Sequence, residues 1–286
     1  MIRIKVSVLI LVVVVGAWRS AQAVEPAAAE GGFDLFDPVP LKNFRELSPD
    51  RPDKTESPYT VDAGHFQLEM DFANFAYHRM DGVTVTAWNI TPFNLKVGLL
   101  DNADLQLVYD NYLNVRTVDH QTGLAQTQSG LGNLTVRLKI NLWGNDGGQT
   151  AFGLLPFVAF PTSTAQLGNP GVAGGILLPL AVKLPCGFDL GLETGLVFSQ
   201  NESGRSYHEE FVNSLTVGHN IAGNLGGYVE FFSSVSTERG TAWVGTVDAG
   251  FEYAVTKNLQ LDCGCNFGIT RAADAVNPFA GITLRF

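Results

Sequence analysis

The sequence contains few cysteines, few charged residues and, after its first segment, no long apolar run. Of its 286 residues, 3 are cysteines and 16% are charged. Three cysteines cannot form a framework of several disulfides, and a hydrophobic content of 45% excludes an intrinsically disordered chain. Lys and Arg number 18 against 28 Asp and Glu, and this net charge of −10 argues against nucleic acid as a partner.

The N-terminal residues have the pattern of a cleavable secretory signal. Arg3 and Lys5 precede an apolar stretch from Val6 to Trp18, and residues 21–23 (Ala-Gln-Ala) supply a small-residue cleavage site. The apolar stretch is too short for a helix that spans a bilayer, which requires about 20 apolar residues. We therefore predict a signal peptide over residues 1–23 and export from the cytoplasm.

Apolar and polar residues alternate with a period of two through most of the remaining chain, which is the pattern of β-strands. Between residues 63 and 286 we predict twelve strands, near 65–78, 84–99, 103–115, 131–143, 150–161, 171–184, 187–199, 208–221, 224–235, 241–253, 257–269 and 277–286. Short turns such as 101–102 alternate with longer polar loops such as 116–128. This predicts an all-β, antiparallel up-and-down transmembrane barrel of about 12 strands in the outer membrane, with its N-terminus on the short-turn, periplasmic side.

A soluble periplasmic sandwich or lipocalin-like barrel shows the same alternation, but two features favour the membrane barrel. Glycines lie opposite the large hydrophobic residues in several strands, which suits a lumen better than a solvated surface. The chain also ends within a strand on an aromatic residue. We assign four alternating residues to an assembly signal: Ala280, Ile282, Leu284 and Phe286.

Two sequence motifs resemble a known barrel family. Residues 50–61 (DRPDKTESPYTV) and 64–69 (GHFQLE) are similar to the opening of the family named for the MetA-pathway of phenol degradation, and residues 132–139 (GNLTVRLK) resemble its middle strand, with Asn133 where Asp is usual. The resemblance implies an outer-membrane barrel that acts as a transporter, sometimes linked to aromatic catabolism. The terminal Phe286 resembles the signal that the barrel-assembly machinery reads.

The residues that commonly carry catalysis or bind metals are scattered. The five histidines lack metal-binding spacing, and Cys263 and Cys265 share the apolar face of one strand. No nucleophile motif or phosphate-binding loop is present. We therefore predict neither an enzyme nor a cofactor or metal site, and an outer-membrane lipid hydrolase is the least favoured function.

Charged residues on the face opposite the hydrophobic residues are the remaining functional signal. They are Glu69, Asp71, Lys96, Arg137, Lys139, Asp189, Glu193, Glu252, Asp262 and Arg285. One hypothesis is that they pair with one another and with water and brace the wall, and another is that they form an electrostatic filter. We predict a channel for small solutes, with aromatic or amphipathic compounds as candidates and outer-membrane lipids around it. The alternative is a structural barrel without transport.

Residues 24–62 form a separate region because they contain six prolines and no strand periodicity. They are predicted to be either a periplasmic tail or a plug that folds into the lumen.

Overall fold

A computed structural model describes residues 32–201 and 204–286. The predicted signal peptide lies outside the described residues. Fifteen β-segments are present: β1 Phe66–Met80, β2 Val83–Ile90, β3 Phe93–Leu100, β4 Ala103–Tyr109, β5 Tyr112–Asp119, β6 Ala125–Gly130, β7 Leu134–Trp143, β8 Thr150–Phe160, β9 Ala173–Lys183, β10 Phe188–Gln200, β11 Tyr207–Ala222, β12 Leu225–Ser236, β13 Val244–Thr256, β14 Leu259–Gly268 and β15 Val276–Arg285. Two short 3-10 turns span Leu41–Asn43 and Pro185–Gly187.

The fifteen segments form twelve wall strands, because β2 with β3, β4 with β5, and β6 with β7 each make one interrupted strand. Neighbouring strands are antiparallel, and β15 pairs with β1 to close the ring. At this seam Phe66 and Phe286 exchange two backbone hydrogen bonds of 2.9 Å, and their rings stack with centroids 5.9 Å apart. The predicted closed barrel of about twelve strands is confirmed.

The connections between strands define the two ends of the barrel. One end carries the turns at 101–102, 144–149, 184–187, 223–224 and 257–258, together with the start of β1 and the end of β15. We call this end the turn rim and the opposite end the loop rim. The predicted loop at 116–128 is wrong in extent, since β5 and β6 form a hairpin whose connection is only 120–124.

Large apolar side chains cover the outer face of the wall. Trp143 and Phe188 lie near the turn rim, while Phe160, Phe198 and Trp243 lie near the loop rim, and all five are exposed. Such aromatic belts flank the apolar band of membrane barrels. None of the helical segments among the described residues is long and apolar enough to cross a membrane.

Three neighbouring wall strands are interrupted at the same height. The interruptions lie at 91–92, 110–111 and 131–133, and β1 has a bulge beside them between Asp71 and Ala73. Pro92 has no N–H to donate to a ladder, and Thr91 has a φ of 52°. The hydrogen bond from Asn89 Nδ2 to Asp110 Oδ1, at 2.7 Å, links two of the interrupted strands.

Residues 32–62, which we call the N-terminal segment, begin at the turn rim. The backbone N–H of Phe33 donates to Asp101 Oδ2 at 3.0 Å, and that of Leu35 donates to the carbonyl of Leu99 at 2.9 Å. From there the segment turns toward the inner side of the wall, where its next residues make their contacts.

Candidate functional site

The ten charged residues predicted to face the lumen lie on the inner side of the wall. Strand register links them around the ring, for example through Gln67 opposite both Lys96 and Arg285, and Glu252 opposite Asp262. Seven are buried: Glu69, Asp71, Lys96, Lys139, Glu193, Asp262 and Arg285. Three are more accessible: Arg137, Asp189 and Glu252. Burial of so many charges requires partners, and the N-terminal segment supplies most of them.

Acidic residues of the N-terminal segment contact lysines and an arginine of β3 and β7. Asp50 accepts a hydrogen bond from Lys96 Nζ at 2.5 Å and pairs with Lys139 through its other oxygen. Glu56 pairs with Arg137. Lys139 is 0% exposed and Lys96 is 1% exposed, so these ion pairs are shielded from bulk water and are stronger than surface pairs.

Basic residues of the same segment contact carboxylates on β1, β13 and β14. Arg51 donates to Asp71 at 2.5 Å and to both oxygens of Asp262 at 2.8 and 2.6 Å. Lys54 Nζ donates to Asp248 Oδ2 at 2.9 Å. The bidentate geometry at Asp262 is the one that a guanidinium provides best.

Hydrogen bonds at Glu230 fix the segment further. The backbone N–H groups of Lys54 and Thr55 both donate to the Glu230 carboxylate, and the Thr55 hydroxyl donates to it at 2.6 Å. Thr55 Oγ1 also lies 2.7 Å from Ser214 Oγ. Arg285 of β15 pairs with Asp62 at 3.2 Å. Together with the contacts above, this pair means that polar contacts of the segment are distributed around most of the inner wall.

Burial and neighbouring charges move the pKa values of the segment in opposite directions. Burial by itself raises the pKa of Asp50, but Lys139, Lys96 and Arg137 offset it and hold that pKa well below its usual range. Burial, together with the negative charge of Glu230, raises the pKa of Asp53 well above its usual range. Burial likewise raises the pKa of Glu56, which Arg137 opposes. The surroundings of Asp50 thus stabilise its charged form, whereas those of Asp53 stabilise its neutral form.

A cavity of about 860 Å³ lies between the N-terminal segment and the strands β9 to β14. Asp53 and Glu56 line it from the segment, and Asp189, Tyr228 and Glu252 line it from the wall. Residues of the turn rim, including Asn145 and Leu184, also border it. Its volume is sufficient for a small organic solute.

Three acidic residues of the inner wall were missed by the sequence analysis: Asp104, Glu230 and Asp248. All three are at most 1% exposed. The signal was available, since Glu230 alternates with the inward-facing Tyr228 and Phe232 in β12. The residues of the N-terminal segment that contact the wall, such as Asp50, Arg51 and Lys54, were also missed, because no alternation with a period of two marks them in the sequence. Within residues 32–201 and 204–286, no group of three or more His, Cys, Asp or Glu residues is arranged to hold a metal ion.

The sequence matches a protein-family model over residues 49–286. The model carries the description "Putative MetA-pathway of phenol degradation". The chain belongs to this family. The match begins one residue before Asp50, so Asp50, Arg51, Lys54 and Glu56 lie within the family region.

Several solved structures of membrane proteins are similar to this chain. An outer-membrane channel from Pseudomonas putida F1 superposes with a TM-score of 0.57 at 13% identity, covering 84% of this chain and all of that one (100%). The NanC porin gives a TM-score of 0.47 at 9% identity, covering 77% and 98%. The CymD monoaromatic hydrocarbon channel gives 0.41 at 10%, covering 77% and 87%. A search of curated proteins with the sequence finds no match. At these identities the first superposition supports the fold, and this member of the family is an outer-membrane β-barrel surrounded by lipid.

Proposed function

We propose that the protein is an outer-membrane channel for small solutes, and that the N-terminal segment, residues 32–62, acts as a plug whose displacement opens it. The observation that carries the proposal is the way the lumen is filled. The N-terminal segment is held there by ion pairs and hydrogen bonds, such as those of Asp50, Arg51 and Lys54, instead of by an apolar core. Water and polar solutes can replace such contacts at modest cost, whereas they cannot replace apolar packing.

The lumen toward the loop rim favours amphipathic solutes. Inward-facing residues of β2, β5 and β9 include Val85, Leu113 and Leu177, whereas those on the facing strands include Ser234 and Asn266. A solute with an apolar part and a polar part therefore finds a matching surface for each. The family description refers to phenol degradation, and aromatic compounds are one class of such solutes.

The proposed role is non-catalytic. A structural barrel without transport is the alternative, and a lipid hydrolase that reacts with a serine-directed probe is the less favoured one. Electrical recording separates the channel from both.

A disulfide between the plug and the wall tests the proposal. In a background with Cys186, Cys263 and Cys265 replaced by Ser, Thr55→Cys and Ser214→Cys place two sulfurs where two hydroxyl oxygens now lie 2.7 Å apart. That separation suits a disulfide without large backbone movement. We expect the oxidised protein to be closed in planar bilayers and to conduct after reduction.

The same molecules serve as their own control, since only the redox state changes. Conductance that is equal before and after reduction would show that the segment does not gate the barrel. Silence in both states, with a folded barrel, would favour the structural alternative.

Acidification should hold the plug more tightly. The pKa of Asp53 is raised by burial and by Glu230 when the segment is inserted, so the inserted state binds more protons than the released state. The stability of the inserted state therefore rises as pH falls toward about 4, the ordinary pKa of an aspartate, and we expect mean conductance to decrease on acidification. Asp53→Asn should weaken this dependence. A conductance that increases on acidification would contradict the assignment.

We propose the barrel-assembly machinery as a partner that reads the end of β15. Phe286 faces outward and stacks on Phe66, whereas Phe279 faces the lumen opposite Gly264. We expect Phe286→Asp to reduce the amount of assembled barrel, seen as heat-modifiable gel mobility, far more than Phe279→Asp. Equal yields of the two variants would remove Phe286 from this role.

A further inference from the structure

The inner wall separates positive from negative charge. Three bases lie close together on β3 and β7, namely Lys96, Arg137 and Lys139, and we call them the basic arc. Two acids, Glu69 and Asp104, lie among them and reduce their charge without cancelling it. Strands β10 to β14 contain no lysine or arginine. Their inward-facing acids are Asp189 near the turn rim, Glu210 near the loop rim and, between these two, Glu193, Glu230, Asp248, Glu252 and Asp262, which we call the acidic arc.

The N-terminal segment presents opposite charges to the two arcs. Asp50 and Glu56 pair with the basic arc, and Arg51 and Lys54 pair with the acidic arc. Residues 50–56 therefore reach both arcs, and they present negative charge to the basic arc and positive charge to the acidic arc. Lys54 also lies over the ring of Phe232, with Nζ 4.7 Å from the ring centroid, as a bound ammonium group would.

Both arcs retain buried polar atoms that the segment leaves unused. Asp248 is 0% exposed, and its Oδ1 accepts no hydrogen bond from any described residue, although its Oδ2 binds Lys54. Arg137 Nε, on the basic arc, is buried and donates to no acceptor in the part of the chain that the structure describes. Such atoms are costly unless a ligand or water satisfies them. The 860 Å³ cavity lies beside the acidic arc and has Glu252 and Thr216 in its wall.

We propose that the lumen binds dipolar solutes, which carry both a cationic amine or guanidine and an anionic carboxylate, and that residues 50–56 occupy this site as an internal stand-in for the solute. The proposal rests on the channel function proposed above. A solute of this class, aligned between the arcs, replaces the ion pairs that the segment loses on leaving. A singly charged or neutral solute replaces only part of them or none.

The physical reason is that opposite charges held on facing walls create a field across the lumen. A dipolar ion gains energy from both ends when it lies along that field, and the attraction is larger in a narrow lumen than in bulk water. An anion gains at the basic arc but is repelled by the acidic arc, and a cation gains only at the acidic arc.

Four solutes of matched length test the proposal with the full chain in proteoliposomes. They are 6-aminohexanoate (dipolar), 6-hydroxyhexanoate (anionic), 6-aminohexan-1-ol (cationic) and 1,6-hexanediol (neutral). The measurement is the initial uptake rate of each radiolabelled solute relative to the diol. We expect the dipolar solute to enter about threefold faster than either singly charged solute, since it gains one more ion pair in a water-filled passage, and faster still than the diol.

Two variants assign the preference to the arcs. Glu252→Gln should lower the relative uptake of 6-aminohexanoate and 6-aminohexan-1-ol, and Arg137→Gln should lower that of 6-aminohexanoate and 6-hydroxyhexanoate. Normalisation to the diol removes changes in how often the plug leaves. Equal uptake of all four solutes would overturn the dipolar preference and leave the channel standing. Uptake of none by a folded barrel would overturn the channel and this proposal with it.

Discussion

Arg51→Gln is expected to release the N-terminal segment and to raise the mean conductance several-fold. Arg51 donates to Asp71 at 2.5 Å and to Asp262 at 2.8 and 2.6 Å, and the Asp262 side chain is 0% exposed. The substitution leaves these two carboxylates facing each other without a cation. Breaking a buried ion pair from one side costs about 3–5 kcal/mol. Since the two carboxylates belong to the wall, that cost falls on the inserted state, and water can solvate both once the segment has left.

Single-channel recording of the full chain measures the expected change, and limited proteolysis of the intact barrel measures exposure of the segment. Lys42→Gln is the matched control, because it also removes one positive charge from the segment, but at an exposed position. We expect the control to conduct and to resist protease as the unaltered protein does. An Arg51→Gln protein with unchanged conductance and unchanged protease resistance would show that the Arg51 pairs do not hold the plug.

The wall was predictable because lipid and lumen impose a period of two on each strand. In β7 the sequence alone assigns Leu138 outward and Lys139 inward, and strand register agrees because Leu138 lies opposite Leu105 and Lys139 opposite Asp104. The β5–β6 hairpin was not predictable in this way. Residues 125–130 (AQTQSG) are small or polar on both faces, so no alternation marks them as a strand. The interruption at Pro92 had a local signal, the missing N–H, but its alignment with 110–111 and 131–133 depends on strand register.

The lumen was less predictable because its charges find partners through closure of the ring. Asp262 and Asp71 lie 191 positions apart in the chain, and a residue 20 positions before Asp71 bridges them. Alternation states that a side chain points inward, yet not whether it meets water, another wall residue or the segment. Lys139 illustrates this: from the sequence it is one charge on a polar face, whereas in the structure it is fully buried against Asp50.

Leu138→Arg is expected to lower the free energy of unfolding of the barrel in lipid by about 2–4 kcal/mol. Leu138 lies in the middle of β7 on the outer face, between an inward-facing Arg137 and Lys139. A guanidinium at this height must leave water for hydrocarbon or bend toward a distant headgroup, and no acid faces outward beside it on β4, where its partner is Leu105. Denaturant titration in lipid vesicles, followed by tryptophan fluorescence, measures the change.

Leu142→Arg on the same strand provides the matched control. Leu142 is 49% exposed and lies beside the turn rim, next to Trp143, where an arginine reaches the interface and costs only about 0–1 kcal/mol. The two variants carry the same substitution on the same face, so their difference reports depth in the bilayer and not the loss of leucine. A larger decrease in the free energy of unfolding for Leu142→Arg than for Leu138→Arg would contradict the assigned position of Leu138 in the middle of the bilayer. No loss at either position would show that the outer face is not in contact with lipid. Lys139→Gln does not distinguish the two cases, because it removes a partner of Asp50 inside the barrel in either of them.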